Sequence, residues 1–367
     1  MIYDIIVIGA GPAGSTFARE TAKSKKKILV IDNEDMNNKK PCGGLLAPDA
    51  QKELAHYDLV LPSNVLVSPQ IFSVKTIDLN FKLIRHYQRY YLNMDRYLFD
   101  KYLVSLIPNN VNIVSGRCID VVKDNDLFTV TVSCKNKVKK YKSKFIIGAD
   151  GCSSIVRKKF FKDNTMKYIA IQEWYKCNDK SNSFYSCIFD RKTSSSCSWL
   201  IHKNEYLIYG GAFDIKNAKE NFEIQKSKLS KFLNLNISNV YKKEACLVYR
   251  PRHFFDFVTG KNGAYLIGEA AGFISPSSFE GISGAFKSGS ILADIFNKTN
   301  DDKKIKRFYK KKTRVLKIKL MFKVLKRWFM YTPFIRFIIM KLNIMSIKMK
   351  NKWYNDLGDA YEHIWFW

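Results

Sequence analysis

Apolar positions fall into two spacings along this chain. The stretch IIVIGAGPAGSTFARETAKSKKKILVID near the N-terminus holds two short continuous apolar runs, separated by a glycine turn and a segment of helical character. Runs of this length bounded by turn residues predict buried strands, and the helix between them predicts a strand–helix–strand unit of a parallel sheet. The same strand-then-turn pattern returns at FIIGADG and YLIGEAAG. Residues 166–254 read differently: IAIQEWYK, SFYSCIFD and YLIYGGAF are aromatic and β-branched runs with turn punctuation, which predicts a second sheet. PQIFSVKTIDLNF and HYQRYYLN are expected to add strands to it. After Asn93, an expected helix cap, Phe99, Tyr102, Leu103 and Leu106 recur on one helical face and leave Arg96 in the first turn facing elsewhere. Farther on, Val315, Ile318, Phe322, Leu325 and Phe329 alternate three- and four-residue steps, with Lys317, Lys319, Lys323, Lys326 and Arg327 as a basic complement. The expected architecture is α/β. A Rossmann-like nucleotide-binding domain spans residues 1–165 and 255–300, interrupted by a β-rich domain at 166–254 and followed by a basic helical region at 301–367.

With 46% apolar residues in 367, the chain is expected to bury a sizeable core. The formal net charge of +29 is unevenly spread: residues 303–350 hold 17 Lys or Arg and no Asp or Glu, which leaves 45 basic against 33 acidic residues elsewhere. That block suits an anionic membrane surface, while nucleic acid is disfavoured because the basic residues are interleaved with long aliphatics. Eight cysteines at 42, 118, 134, 152, 177, 187, 197 and 246 form no CxxC pair and no zinc-ligand spacing, so reduced thiols in the cytoplasm and no metal site are expected. IYDIIVIGAG begins at once with a buried strand, which does not support a secretory signal.

Candidate chemistry starts at Gly9, Gly11 and Gly14. Gly9 permits the tight turn, Gly11 the close approach of a pyrophosphate, and Gly14 the packing of helix on sheet, with Pro12 and Ala13 opening the helix. Asp32 ends the next strand, where a carboxylate takes the hydroxyls of an adenosine ribose. This unit alone fits NAD and FAD equally. GADG resembles the DG motif of flavoprotein hydroxylases, in which Asp150 helps organise the pyrophosphate region; capping of the next helix is a second role open to Asp150. Gly268 and Glu269 in GEAAG resemble the third motif of that superfamily. There an acid, most often Asp, binds the flavin ribitol, and a following helix, here opening at Gly281 and Ile282, points its N-terminus at the pyrimidine edge of the ring. In relatives an arginine at the position of Arg96 lies beside the flavin. FAD is therefore the expected cofactor.

KPCGGLLAPDAQ resembles the Cys-Gly-Gly segment of the geranylgeranyl reductase family, flavoenzymes that saturate isoprenoid double bonds. Together with PQIFSVKT, FYSCIFD and the segment from LIGEAAGFISPSS to EGIS, it is similar to the CbrA family of bacterial FAD-dependent oxidoreductases, over residues 2–337. The resemblance implies an FAD-binding fold of the hydroxylase type, with Cys42 near the flavin between loop glycines Gly43 and Gly44. Space filling is the other reading of Cys42. CSWLIHKNEYLIYGG keeps Trp199, Lys203 and Gly210 of the reductases' substrate-strand motif, so Trp199 is a candidate for the substrate pocket; an ordinary inward strand residue is the alternative. No second GxGxxG follows a strand, which leaves the reductant as either NAD(P)H in a transient encounter or a protein electron donor. Three functions share these features. They are hydride transfer from flavin N5 to an unsaturated apolar substrate, small molecule or lipid; hydroxylation by a monooxygenase; and a non-catalytic flavin-based redox sensor at the membrane. A peripheral position on the inner face of the cell membrane fits the first and the last.

Overall fold

The structure, a computed structural model, describes residues 1–33, 40–135, 137–163, 165–177, 184–344 and 346–347. Two eight-stranded sheets form its framework. In the first, the strands Ala264–Leu266, Lys137–Gly148, Ile2–Ile8, Ile28–Asp32 and Asn112–Ser115 lie side by side and parallel. Ile5, Ile6, Val7, Leu29 and Val30 are wholly buried, as continuous apolar runs covered on both faces should be. The register pairs Ile8 with both Ile31 and Gly148, and Leu266 with Gly148. Four strands thus end level, and their following loops open along one edge, where ligands bind in sheets of this kind.

Helix Pro12–Thr21 packs against helix Ile282–Lys298 through glycine: a Cβ on Gly289 would lie 2.6 Å from the Ala13 carbonyl oxygen. At Gly268 the first turns of both helices converge, since a Cβ there would lie 2.8 Å from Ala13 Cβ and 3.6 Å from Ala285 Cβ.

The second sheet runs in the order Val240–Tyr249, Lys167–Lys176, Tyr206–Asp214, Ser198–Lys203, Tyr185–Phe189, Ile71–Asp78, Leu83–Asn93, Leu45–Leu46. Ile71–Asp78 and Leu83–Asn93 join it as expected, with Tyr185–Phe189 and Ile71–Asp78 forming its parallel pair. Helix Ala218–Leu233 covers one face, burying Phe222 and Leu229 against Tyr209 and Phe213. Strand alternation then sends Trp199, Ile201 and Lys203 to the other face, toward the first sheet's loops.

Three helices, Asp302–Lys312, Arg314–Tyr331 and Pro333–Lys341, strap the two units together. Tyr309 donates to the Leu266 carbonyl at 3.0 Å, and Arg336 Nε donates to the buried Asp78 carboxylate at 2.6 Å. Tyr331 bridges both sides: its hydroxyl donates to the Ser277 carbonyl at 2.6 Å and accepts from the Cys197 amide at 3.0 Å. The apolar stripe read from the sequence faces outward here, and the basic complement needs correction. Lys317 is buried and donates to the Phe257 carbonyl at 3.4 Å, Lys323 pairs with Asp49 at 3.1 Å, and Arg327 is half-buried. Only Lys319 and Lys326 of the five stand exposed, joined by Arg314. Residues 348–367 of the expected C-terminal region lie outside the described residues.

A second correction concerns the helix Arg96–Ser105, whose cap is Asp95 rather than Asn93: Asp95 accepts from the amides of Tyr97 and Leu98 at 2.8 and 3.0 Å. Phe99 and Leu103 are buried as expected. Because the Ala13 backbone cannot retreat from a Cβ at position 289, Gly289→Val should lower stability by about 2–3 kcal/mol in urea unfolding, with the two helices pushed apart at the edge where the loops gather.

Candidate active site

The first glycine turn shows what its sequence requires. Gly9 has φ +94°, and a Cβ on it would lie 2.7 Å from the Ala149 carbonyl oxygen, so the first and second motif loops touch there. A Cβ on Gly14 would run into the Gly9 carbonyl. Gly11 is different: a Cβ there would meet no described protein atom within 4 Å. Nothing in the described chain demands glycine at position 11, and the helix start there has room for a bound group. Asp32 Oδ1 accepts from the Ala10 amide at 3.0 Å and holds the second strand's end against the turn.

Asp150 divides its two oxygens. Oδ2 accepts from the Ile155 amide at 2.7 Å, while Oδ1 is buried with no partner among the described residues. Burial pushes its carboxyl up to about 6, against hydrogen bonds from Ser154 and nearby amides that lower it. A buried acceptor without a donor costs stability, so Oδ1 is a position waiting for one. Glu269 sits in the one-turn helix Gly268–Ala271, 7% exposed, with Oε1 accepting from the Tyr249 amide at 3.0 Å and Oε2 paired with Lys40. Burial works against the Lys40 charge, but Glu269 holds its pKa above the ordinary value. Gly281 caps helix Ile282–Lys298 without a side-chain hydrogen bond, so its first-turn amides rely on other partners.

A buried arginine not singled out as a ligand ties these loops together. Arg157 is 1% exposed, donates to the carbonyls of Ala270 and Asp256 at 2.8 and 3.0 Å and to Thr165 at 2.6 Å, and ion-pairs with Asp163 at 3.2 Å.

The Cys-Gly-Gly loop is clamped from the sheet side. Lys203 Nζ donates to the carbonyls of Gly44 and Met94 at 3.1 and 2.6 Å and to Asn93 Oδ1 at 2.6 Å. Burial drops the Lys203 ammonium to about 7. Asn93 is itself fully buried and donates to the carbonyls of Pro69 and His202 at 2.9 and 2.8 Å. Gly43 rests on Ile201, 2.8 Å from where its Cβ would stand, and near the Trp199 ring. Trp199 in turn needs Gly210, its cross-strand partner, because a Cβ there would lie 2.5 Å from the indole. Its Nε1 is buried and has no partner among the described residues. Arg96 meets this loop as well: its Nε donates to Asp100 at 2.9 Å, and its guanidinium is an electrostatic neighbour of Cys42, whose Sγ accepts from the Gly44 amide at 3.4 Å. Burial disfavours that charge, yet Asp100 and Cys42 keep the Arg96 pKa above its ordinary value. Lys40, Asn93 and Arg157 lacked a local signal for these roles, since each acts across a long stretch of chain.

With a dinucleotide bound, the space over Gly11 would take its pyrophosphate at the start of the first helix, and Asp150 Oδ1 would accept from one of its hydroxyls. The fold and these converging loops define an FAD-dependent oxidoreductase. Residues 3–171 match the pyridine nucleotide-disulphide oxidoreductase family. Protein CbrA of Escherichia coli strain K12 is 39% identical over 351 residues, covering 94% of this chain and 98% of that protein. The chain belongs to the CbrA family. Among solved structures, a geranylgeranyl bacteriochlorophyll reductase-like protein from Thermoplasma acidophilum superposes with a TM-score of 0.75 at 21% identity, over 89% of this chain and 86% of that one. A p-nitrophenol 4-monooxygenase from Pseudomonas putida gives 0.70 at 15% identity, over 93% of each chain. At these identities the two structures share the fold.

Gly11→Val should abolish FAD retention, read as loss of absorbance near 450 nm, while far-UV circular dichroism stays unchanged; unfolding instead would mean that the space belongs to the protein. The raised Asp150 pKa means that the folded apo-protein holds this proton more tightly than the unfolded chain. The stability it contributes is complete below about pH 4 and is lost as pH rises through about 6. Urea titrations of wild type and Asp150→Asn should therefore diverge by about 2–3 kcal/mol between pH 4 and pH 7, with wild type losing ground as the pH rises.

Proposed function

We propose that this chain is a reductase that adds hydrogen across a carbon–carbon double bond of an apolar substrate, with FAD held by Gly9, Gly11, Gly14, Asp32, Asp150 and Glu269. The observation that carries the reading is the Cys42 loop, fixed by Lys203 and Asn93 against Trp199 and Ile201 with the Arg96 charge in its neighbourhood. When bound, FAD supplies a hydride, recharged by NAD(P)H or a protein electron donor. The residues do the rest. Trp199 and Ile201 offer an apolar wall to a long unsaturated chain. Cys42 delivers a proton to the second carbon, and the thiolate left behind is stabilised by the Arg96 guanidinium. The reductase-like name of the Thermoplasma acidophilum neighbour supports an isoprenoid as the substrate class.

The test uses photoreduced, FAD-loaded protein mixed without oxygen with geranylgeranyl and longer polyprenyl substrates. Flavin reoxidation should accompany a product heavier by one H2. Cys42→Ala should slow this step on the order of 10²-fold with FAD content unchanged, and Cys42→Ser should restore part of the loss. Oxygen uptake matched mole for mole by a hydroxylated product would assign the chain to monooxygenase chemistry instead.

A further inference from the structure

The helix Arg314–Tyr331 has two sides with different fates. Lys317, Leu320 and Tyr331 are buried against the rest of the chain, so the helix is firmly seated by its inner side. At about 100° per residue, Leu325, Ile318, Phe329, Phe322 and Val315 share an outer arc of about 80°. They are exposed by 61, 40, 51, 65 and 61% respectively. Trp328, next to this arc, is 62% exposed. Arg314 borders the arc on one side and Lys326 and Lys319 on the other, all exposed. Helix Pro333–Lys341 follows directly with Phe334, Ile338 and Ile339 exposed.

We infer that this face docks the protein on an anionic lipid bilayer, with the helix lying in the plane of the interface. An apolar arc flanked by long basic side chains matches the boundary between acyl chains and phosphate head groups: the rings and Leu325 enter the first, and Lys319, Lys326 and Arg314 reach back to the second. No described helix is long and apolar enough to cross a membrane. A second copy of the chain is a poor occupant. A symmetric contact would bring two sets of Arg314, Lys319 and Lys326 into one interface, and residues 303–350 contain no acid to offset them. The inference rests on the exposed face and is independent of the reductase reading; where both hold, an apolar substrate is drawn from the surface on which the enzyme sits.

Flotation of the full-length, FAD-loaded protein with vesicles decides it. With phosphatidylcholine vesicles containing phosphatidylglycerol, wild type should float at low salt and progressively less as salt rises. Phe322→Glu combined with Leu325→Glu should reduce flotation at least tenfold while FAD occupancy and circular dichroism stay as in wild type. Both side chains are exposed, so folding does not depend on them. Lys319→Glu with Lys326→Glu should remove the preference for phosphatidylglycerol over phosphatidylcholine alone. Wild type that stays in the dense fraction at low salt, or a double-Glu variant that floats like wild type, overturns the inference. A wild-type dimer in sedimentation velocity that the Phe322→Glu, Leu325→Glu variant dissociates would make the face a contact between copies and overturn it equally.

Discussion

A guanidinium that has left water must find acceptors for its N–H groups, and at Arg157 that requirement shapes the centre of the molecule. It reaches the turn carbonyl of Ala270, the loop carbonyl of Asp256, Thr165 and Asp163, with its guanidinium 4.9 Å from the centre of the Tyr249 ring. Those partners come from the third cofactor motif, from the entry to the second sheet and from the strand that leaves it. The helix bearing Arg157 belongs to the second motif. One buried charge therefore sets the distance between the loops that receive Asp150 and Glu269, and removing it would strand several polar groups at once.

The Cys-Gly-Gly loop obeys a similar rule with a different cation. Burial lowers the Lys203 pKa to about 7, and the three oxygens that hold it at close range, none of them a carboxylate, do not restore it. The ammonium acts as a three-way strut between Gly44, Met94 and Asn93. This explains why a strand residue so far from the loop in sequence governs where Cys42 stands, and why the strand motif and the loop motif occur in one chain.

Legibility followed range. Gly9, Gly11, Gly14 and Asp32 occupy one contiguous unit whose turn, helix and strand are specified by neighbouring residues, and the structure shows the tight turn at Gly9 and the close packing at Gly14 that the spacing required. The stripe from Val315 to Phe329 was equally readable because helical periodicity is local. What periodicity does not tell is which side of a stripe meets the protein; the inward turn of Lys317 was hidden because a lysine in a basic run looks like a solvated one. Asn93 and Asp95 are both good caps by type. The choice fell to Asp95 because Asn93 is drawn away to Pro69 and His202, and such distant pairings leave no trace in a short window of sequence. Lys40 with Glu269 and Arg157 with Ala270 were beyond reach for the same reason.

Tyr331 has a consequence for how the protein comes into being. Its hydroxyl holds Ser277, in the loop after the third motif, to Cys197, just before a strand of the second sheet, and the buried Arg250 guanidinium lies 5.5 Å from the centre of its ring. Chains are made from the N-terminus, and domains fold in that order during synthesis. Both sheets can therefore be complete on the ribosome while the seam between them is still unlatched. The residue that latches it is made after the last strand of either sheet. Closing of this seam thus follows completion of both sheets, and a message truncated before that codon encodes two finished sheets that lack this one fastening.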